Sequence, residues 1–209
     1  MNLTDLSVRE FLEETASSSP APGGGSVSAL AGALSAALAA MVARLTEGEK
    51  YAAVRGEMRR IAAEAEKLKG ALSECVQKDT DGFSEYMAAL KLPKDTEKNI
   101  ALRRAAMQNG LKKAALVPLE TARTAAEIFP LAAAAAKQGN PNALSDALVA
   151  ALLAKAAVCG ALLNVRVNLA AVEDKAFTEQ IAAQIEDLAA RAKEGERLLS
   201  EIPLAAGLL

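Results

Sequence analysis

Apolar positions recur every three or four residues through almost the whole chain, and no alternating run bounded by turns interrupts them. Asp5 to Ser17, with Leu6, Val8, Phe11 and Leu12 on one side, predicts a short amphipathic helix, ended by Ser18-Ser19-Pro20-Ala21-Pro22-Gly23-Gly24-Gly25. A second helix is expected from about Ser26 to Leu45, and Glu47-Gly48-Glu49 separates it from a third, Lys50 to Leu90. Pro93 closes that run, and Asp95 or Thr96 can cap a helix reaching Ile128. Phe129-Pro130 interrupts, a short alanine-rich piece follows, and Gly139-Asn140-Pro141-Asn142 makes a turn with Asn140 as N-cap and Pro141 at the first helical position. The last two helices are predicted over Pro141 to Val172 and Lys175 to Ser200. With no internal repeat, the pattern predicts an all-α, multi-helix bundle of roughly six to eight helices in one domain over residues 1–209.

The second helix has its own signature. Gly25, Ser28, Gly32, Ser35 and Ala39 step by three and four, so one stripe carries only very small side chains and lets another backbone come close. A two-fold dimer seam is the preferred use; tight packing inside the same chain is the competing one. Ser26 to Leu45 is long enough to span a bilayer, but it is built from Ala, Gly and Ser and follows Glu10, Glu13 and Glu14. It reads as a buried central helix, with no membrane partner expected.

Composition narrows the chemistry. The hydrophobic fraction of 52% is mostly alanine, the strongest helix former. A net charge of -2 and 3% aromatic residues leave neither the basic excess nor the rings that nucleic acid would need. Histidine is absent, which removes Ser-His and Cys-His catalysis and His-based zinc sites. Cys75 and Cys159 sit in apolar helical patterns without a CxxC and read as reduced packing residues of a cytoplasmic protein. Acid-base work therefore falls to carboxylates, lysines, tyrosines or cysteines with shifted pKa values.

Gly23, Gly24 and Gly25 followed by Ser26 open a helix, where free backbone N–H groups and the positive end of the dipole face one point. Neither the P-loop nor the dinucleotide spacing is present, and the plain alternative is a linker stiffened by prolines. In the third helix Leu72, Cys75, Val76, Asp79, Gly82, Phe83, Tyr86 and Leu90 share a face on which Asp79 is the only charge. Burial would raise its pKa toward a range useful for proton transfer; a buried structural acid is the alternative. Asp146, near the start of its helix, is another candidate, although acids are favoured there by the dipole alone. Asn164 and Asn168 lie one turn apart; Asp146 and Asn164 lie five turns apart on one face, roughly 27 Å. They serve one pocket only if the helix breaks, for instance at Gly160, or if they meet across a dimer. Lys91, Lys94, Arg103 and Arg104 gather at one corner, either as solvated surface or as a hold for an acidic ligand tail.

Three stretches carry a resemblance. Pro20-Ala21-Pro22-Gly23-Gly24-Gly25-Ser26-Val27-Ser28-Ala29, then Lys78-Asp79-Thr80-Asp81-Gly82-Phe83 with Lys91-Leu92-Pro93-Lys94, then Gly139-Asn140-Pro141-Asn142 through Ser145-Asp146 to Asn164-Val165 and Asn168 resemble, in order and spacing, the cyclodeaminase/cyclohydrolase family. That family comprises the C-terminal half of formiminotransferase-cyclodeaminase and its stand-alone bacterial relatives. The resemblance runs from about Leu6 to about Ser200 and implies a cytoplasmic all-α homodimer acting on tetrahydrofolate one-carbon units. It implies either closure of 5-formiminotetrahydrofolate to 5,10-methenyltetrahydrofolate with loss of ammonia, or interconversion of methenyl- and 10-formyltetrahydrofolate with water. A formiminotransferase domain has no counterpart in these residues. Proton transfer suffices for both reactions, so no metal and no tightly bound cofactor is expected, with the tetrahydrofolate derivative as substrate. On this reading Asp79 moves the proton, with Asp146 as the alternative. Gly23, Gly24, Gly25 and Ser26 hold ligand oxygen, and Phe83 packs on a ring. Lys91 or Lys94 meets the glutamate tail, and Asn142 and Asn164 complete the substrate-binding set.

Overall fold

A computed structural model describes residues 2–203. Among them are seven α-helices and no strand: α1 Val8–Ala16, α2 Gly24–Leu45, α3 Arg55–Leu90, α4 Glu97–Ala126, α5 Ile128–Gln138, α6 Leu144–Leu169 and α7 Lys175–Ser200. Short 3-10 turns over Leu3–Asp5, Glu49–Tyr51 and Pro141–Ala143 lead into α1, α3 and α6.

Local chemistry explains where these boundaries differ from the sequence reading. The first segment is not continuous from Asp5, because Ser7 and Glu10 form a capping box that starts a fresh helix at Val8. The third helix starts at Arg55 rather than Lys50, since Gly48 takes a φ of 98° and the chain makes a 3-10 turn before straightening. Thr96 is the residue that caps α4 through the Asn99 amide, and Asn140 caps the 3-10 turn before α6 as expected. α2 opens two residues early, at Gly24, so the glycines form its first turn instead of preceding it.

α2 is the spine, packed chiefly against α3 on one side and α6 on the other. The small-residue stripe makes this possible: a Cβ on Gly32 would lie 3.0–3.4 Å from Leu72 and Ala157, and one on Gly160 would lie 2.4 Å from Ser28 Oγ. Ser35 donates to the Ala150 carbonyl at 2.5 Å. The stripe therefore buries itself within its own chain, and the dimer-seam reading of it is corrected. The helices of this sandwich touch through alanine, whose side chain buries only one carbon (about 0.8 kcal/mol per CH2) but costs no rotamer freedom. Close approach compensates for small size.

α2 and α6 run antiparallel. Gly24 lies against Asn164, Ser28 against Gly160, Gly32 against Ala157 and Ser35 against Ala150. At the far end the buried Thr46 hydroxyl donates to Val42 O and accepts from the Asn140 amide at 2.9 Å, and Asn140 Nδ2 donates to Leu45 O. The end of α2 is thereby locked to the turn that begins α6.

Pro118 lies inside α4, where it offers no N–H to the carbonyl of Ala114 four residues earlier. Asn168 supplies that missing donor from α6, through Nδ2 to Ala114 O at 2.7 Å. Asn168 is thus a structural amide. Asn168→Ala is expected to destabilise the fold by about 1–3 kcal/mol by stranding this carbonyl. In a Pro118→Ala background, where the helix recovers its own donor, the loss should be smaller. Chemical denaturation of the two single variants and the double variant measures that coupling.

Candidate functional site

The first turn of α2 has no side-chain cap, since Gly23 precedes it with extended backbone and no side chain. Its leading amides have no helical acceptors of their own, so the tip is a cluster of free donors at the positive end of a 22-residue helix. Into this tip α3 delivers Asp79. A Cβ placed on Gly25 would lie only 2.1 Å from Asp79 Oδ1, 2.4 Å from Cγ and 2.5 Å from Oδ2. The carboxyl group therefore occupies the space that any side chain at position 25 would take. On the other side, α6 brings Asn164: a Cβ on Gly24 would lie 3.1 Å from its Nδ2, which donates to Gly160 O at 2.9 Å. The two glycines are needed for close approach rather than for unusual backbone angles.

Ser26 knots the site together. Its Oγ lies 2.8 Å from Val76 O, 3.2 Å from Asp79 Oδ2 and 3.2 Å from Thr80 Oγ1. One hydroxyl carries one proton, so when Ser26 donates to Val76 O its contact with Asp79 is satisfied by a proton on the acid. Asp79 is half-buried, and burial pushes its pKa above the ordinary aspartate range, with the hydroxyl and amide of Ser26 pulling it partly back. Burial, a neighbouring hydroxyl and helix-tip donors together make a carboxyl group that can hold a proton and release it.

The sequence-derived residues divide into two groups. Gly24, Gly25, Ser26, Asp79 and Asn164 converge, and Gly23 stands next to them as N-cap. Phe83, half-buried, follows Asp79 by one turn of α3, about 6 Å along its axis. Lys91 and Lys94 are exposed at the end of α3 and form no ion pair among the described residues. The other cations of that corner are engaged: Arg103 donates twice to Leu90 O and Arg104 pairs with Glu173. Asp146 and Asn142 do not join the site in their own chain. α6 is unbroken through Gly160, so Asp146 stays roughly 27 Å from Asn164, at the opposite end of the α2–α6 pair. Asn142 is exposed in the adjoining 3-10 turn.

Thr80 was missed. It neighbours Asp79 in sequence and so projects about 100° away on an ideal helix, which hid its reach back to Ser26. Cys75 is buried as expected, and burial pushes its thiol up; Cys159 is exposed on α6 and is not a packing residue. Among the described residues no group of three or more potential ligands is placed to hold a metal.

The sequence profile of the formiminotransferase-cyclodeaminase family matches residues 7–187. A methenyltetrahydrofolate cyclohydrolase from Methylorubrum extorquens is 40% identical over 186 residues, covering 88% of this chain and 89% of that protein. The formimidoyltransferase-cyclodeaminase of Rattus norvegicus is 38% identical over 193 residues, but the match spans only 36% of that longer protein. The crystal structure of a formiminotetrahydrofolate cyclodeaminase from Thermotoga maritima superposes with a TM-score of 0.86 at 31% identity, covering 96% of this chain and 97% of the other.

Two outcomes follow from the site. Gly25→Ala should fold yet displace the Asp79 carboxyl, lowering turnover at least about 100-fold, the scale of one general acid-base group. Because Asp79 ionises less readily when folded, its contribution to stability falls as pH rises from its unfolded value through its raised folded value. At neutral pH the buried charge is a net cost. Asp79→Asn should then melt at or above the wild-type temperature at neutral pH, with the difference closing in acid; thermal melts across pH measure it.

Proposed function

The chain belongs to the formiminotransferase-cyclodeaminase family, and on that premise we propose that it is a folate one-carbon enzyme, a formiminotetrahydrofolate cyclodeaminase. The observation that carries the proposal is the Asp79 carboxyl group resting on the glycine tip of α2, beside Ser26 and Asn164. In 5-formiminotetrahydrofolate, N10 attacks the formimino carbon, a tetrahedral aminal forms, and ammonia leaves as 5,10-methenyltetrahydrofolate is produced. Two proton movements are required: one off N10 and one onto the departing amine. Asp79 takes the first in its ionised form and returns it as the acid, the form its burial favours. The amides of Gly24 and Gly25 and the Asn164 amide hold substrate oxygen, and Phe83 packs against a ring. Lys91 and Lys94, which form no ion pair among the described residues, meet the carboxylates of the glutamate tail. This chemistry asks for no metal, redox group or tightly bound cofactor.

A second reading is methenyltetrahydrofolate cyclohydrolase, favoured by the 40% identity to the M. extorquens enzyme along almost its whole length. There water, not N10, attacks the one-carbon unit, and the same carboxyl group takes its proton. We propose that the enzyme works in the cytoplasm, where reduced thiols such as the exposed Cys159 persist, and that it acts as a homodimer, with neither nucleic acid nor membrane as partner.

Absorbance of the methenyl chromophore separates the two reactions. Enzyme-dependent gain of signal from 5-formiminotetrahydrofolate identifies the cyclodeaminase; enzyme-dependent loss from methenyltetrahydrofolate identifies the cyclohydrolase. Asp79→Asn should lower kcat by about 100- to 10,000-fold with KM little changed. Wild-type turnover by that variant would remove Asp79 from the proton-transfer role. Folate binding without turnover of either substrate by the wild-type protein would reduce the chain to a binding module.

A further inference from the structure

Ser26 is fully buried, and its Oγ stands within hydrogen-bond distance of three oxygens: Val76 O at 2.8 Å, Asp79 Oδ2 at 3.2 Å and Thr80 Oγ1 at 3.2 Å. A serine hydroxyl has one proton to give and two lone pairs to fill. Val76 O only accepts, and it already takes the Thr80 amide in the helical ladder of α3. An ionised Asp79 also only accepts. The Ser26 proton therefore goes to one of these two oxygens, and in the contact between the two hydroxyls Thr80 is the donor.

Two proton arrangements fit the same heavy atoms. With Asp79 protonated, the acid donates to Ser26 Oγ and Ser26 donates to Val76 O. With Asp79 ionised, Ser26 turns its proton onto Oδ2, and Val76 O keeps its helical amide, so no polar atom is stranded. The bond from Thr80 strengthens in the second arrangement, because a hydroxyl that accepts a hydrogen bond donates its own more strongly. No cation supplies that help instead. Beside Asp79 on α3, Lys78 is paired with Glu74 and with Glu120 of α4, Asp81 is bonded to Gln77, and Lys113 of α4 is paired with Glu85. Cys75, one turn back, is buried with its thiol pushed up, and Tyr86 lies nearly two turns on. α2 has no charged residue from Ser26 to Val42; α6 presents the neutral Asn164 here, while its Lys155 and Arg166 pair with Glu196 and Glu186 of α7. α1, which packs Phe11 beside Val76, keeps Arg9, Glu10, Glu13 and Glu14 exposed.

We propose that Thr80 is a positioning residue of the active site: by donating to Ser26 Oγ it turns the single Ser26 proton onto Asp79 Oδ2 when the acid is ionised. This deepens the function proposed above and rests on it, since the ionised acid is the form that takes the proton from N10 or from water. Once Asp79 is protonated, the Ser26 hydroxyl swings to Val76 O, so the pair of hydroxyls follows the acid through both halves of its proton cycle. In this role Thr80 acts only through Ser26.

Carboxyl-carbon NMR titration of Asp79 in the folate-free protein and the acid limb of kcat/KM against pH read the same group. Thr80→Val, equal in size but without the hydroxyl, removes support from the ionised form. Both midpoints should then move up by about half to one pH unit, with turnover on the acid side falling about three- to tenfold. Thr80→Ser, which keeps the hydroxyl, should titrate as wild type does. In a Ser26→Ala background, where the intermediary is gone, Thr80→Val should move the Asp79 midpoint no further. An unchanged midpoint in Thr80→Val, a Thr80→Ser that shifts as the valine variant does, or an equal shift with and without the Ser26 hydroxyl overturns the proposal. If valine at this position does not fold, Thr80→Ala carries the same comparison. The titration needs no turnover: should wild type act on neither folate, the function proposed above fails, while the Asp79 midpoint still decides whether Thr80 directs the Ser26 proton.

Discussion

The contact on which this molecule depends is the one between a carboxyl group and a missing side chain. Asp79 lies where the Cβ of residue 25 would be, so any side chain at that position would displace the acid from the first turn of α2. Burial at this contact costs the charged form of the acid, and the Ser26 hydroxyl and amide recover part of that cost. The result is an acid whose proton affinity is set by packing. A protein with no histidine has to obtain such a group this way.

The rest of the bundle is arranged to keep α2 fixed along its whole length. Glycine, serine and alanine along its buried side let α3 and α6 approach closely; the Ser28 and Ser35 hydroxyls donate to Gly24 O and Ala150 O, while that of Ser26 lies between Val76 O and the Asp79 carboxyl group. Polar atoms inside an alanine-rich interior thus have partners, and the interior remains closely packed. At the distal end Thr46 and Asn140 tie α2 to α6, and Asn168 repairs the break that Pro118 makes in α4. Rigid ends matter because the proposed chemistry tolerates little displacement of Asp79 from the tip.

The two long apolar helices, α2 and α6, each keep some large apolar side chains exposed, among them Leu34 on α2 and Leu163 on α6. α2 and the span Pro141–Leu169 are long and apolar enough to cross a membrane, yet each packs against other helices of the fold along its inner side.

The sequence by itself determined the helices and their order, since a three-four apolar period, prolines, glycines and caps are local signals that act within a few residues. It also singled out Asp79, because one charge on an apolar face is visible from spacing alone, and it identified the family from three short motifs. It misplaced helix starts by a few residues and expected Phe129-Pro130 to interrupt a helix, whereas both lie in the first turn of α5; its other errors were to read the small-residue stripe as a dimer seam, treat Cys159 as a packing residue and pass over Thr80. Each of these last three depends on which neighbour a face meets, and helical periodicity says only that a face exists. Tertiary structure decided that the stripe closes onto α3 and α6, that Asn164 and Asp79 reach the same two glycines from opposite sides, and that Asp146 is held a full helix length away. Those facts come from long-range packing, where a few ångströms between helix axes fix what can touch, and no local pattern encodes that distance.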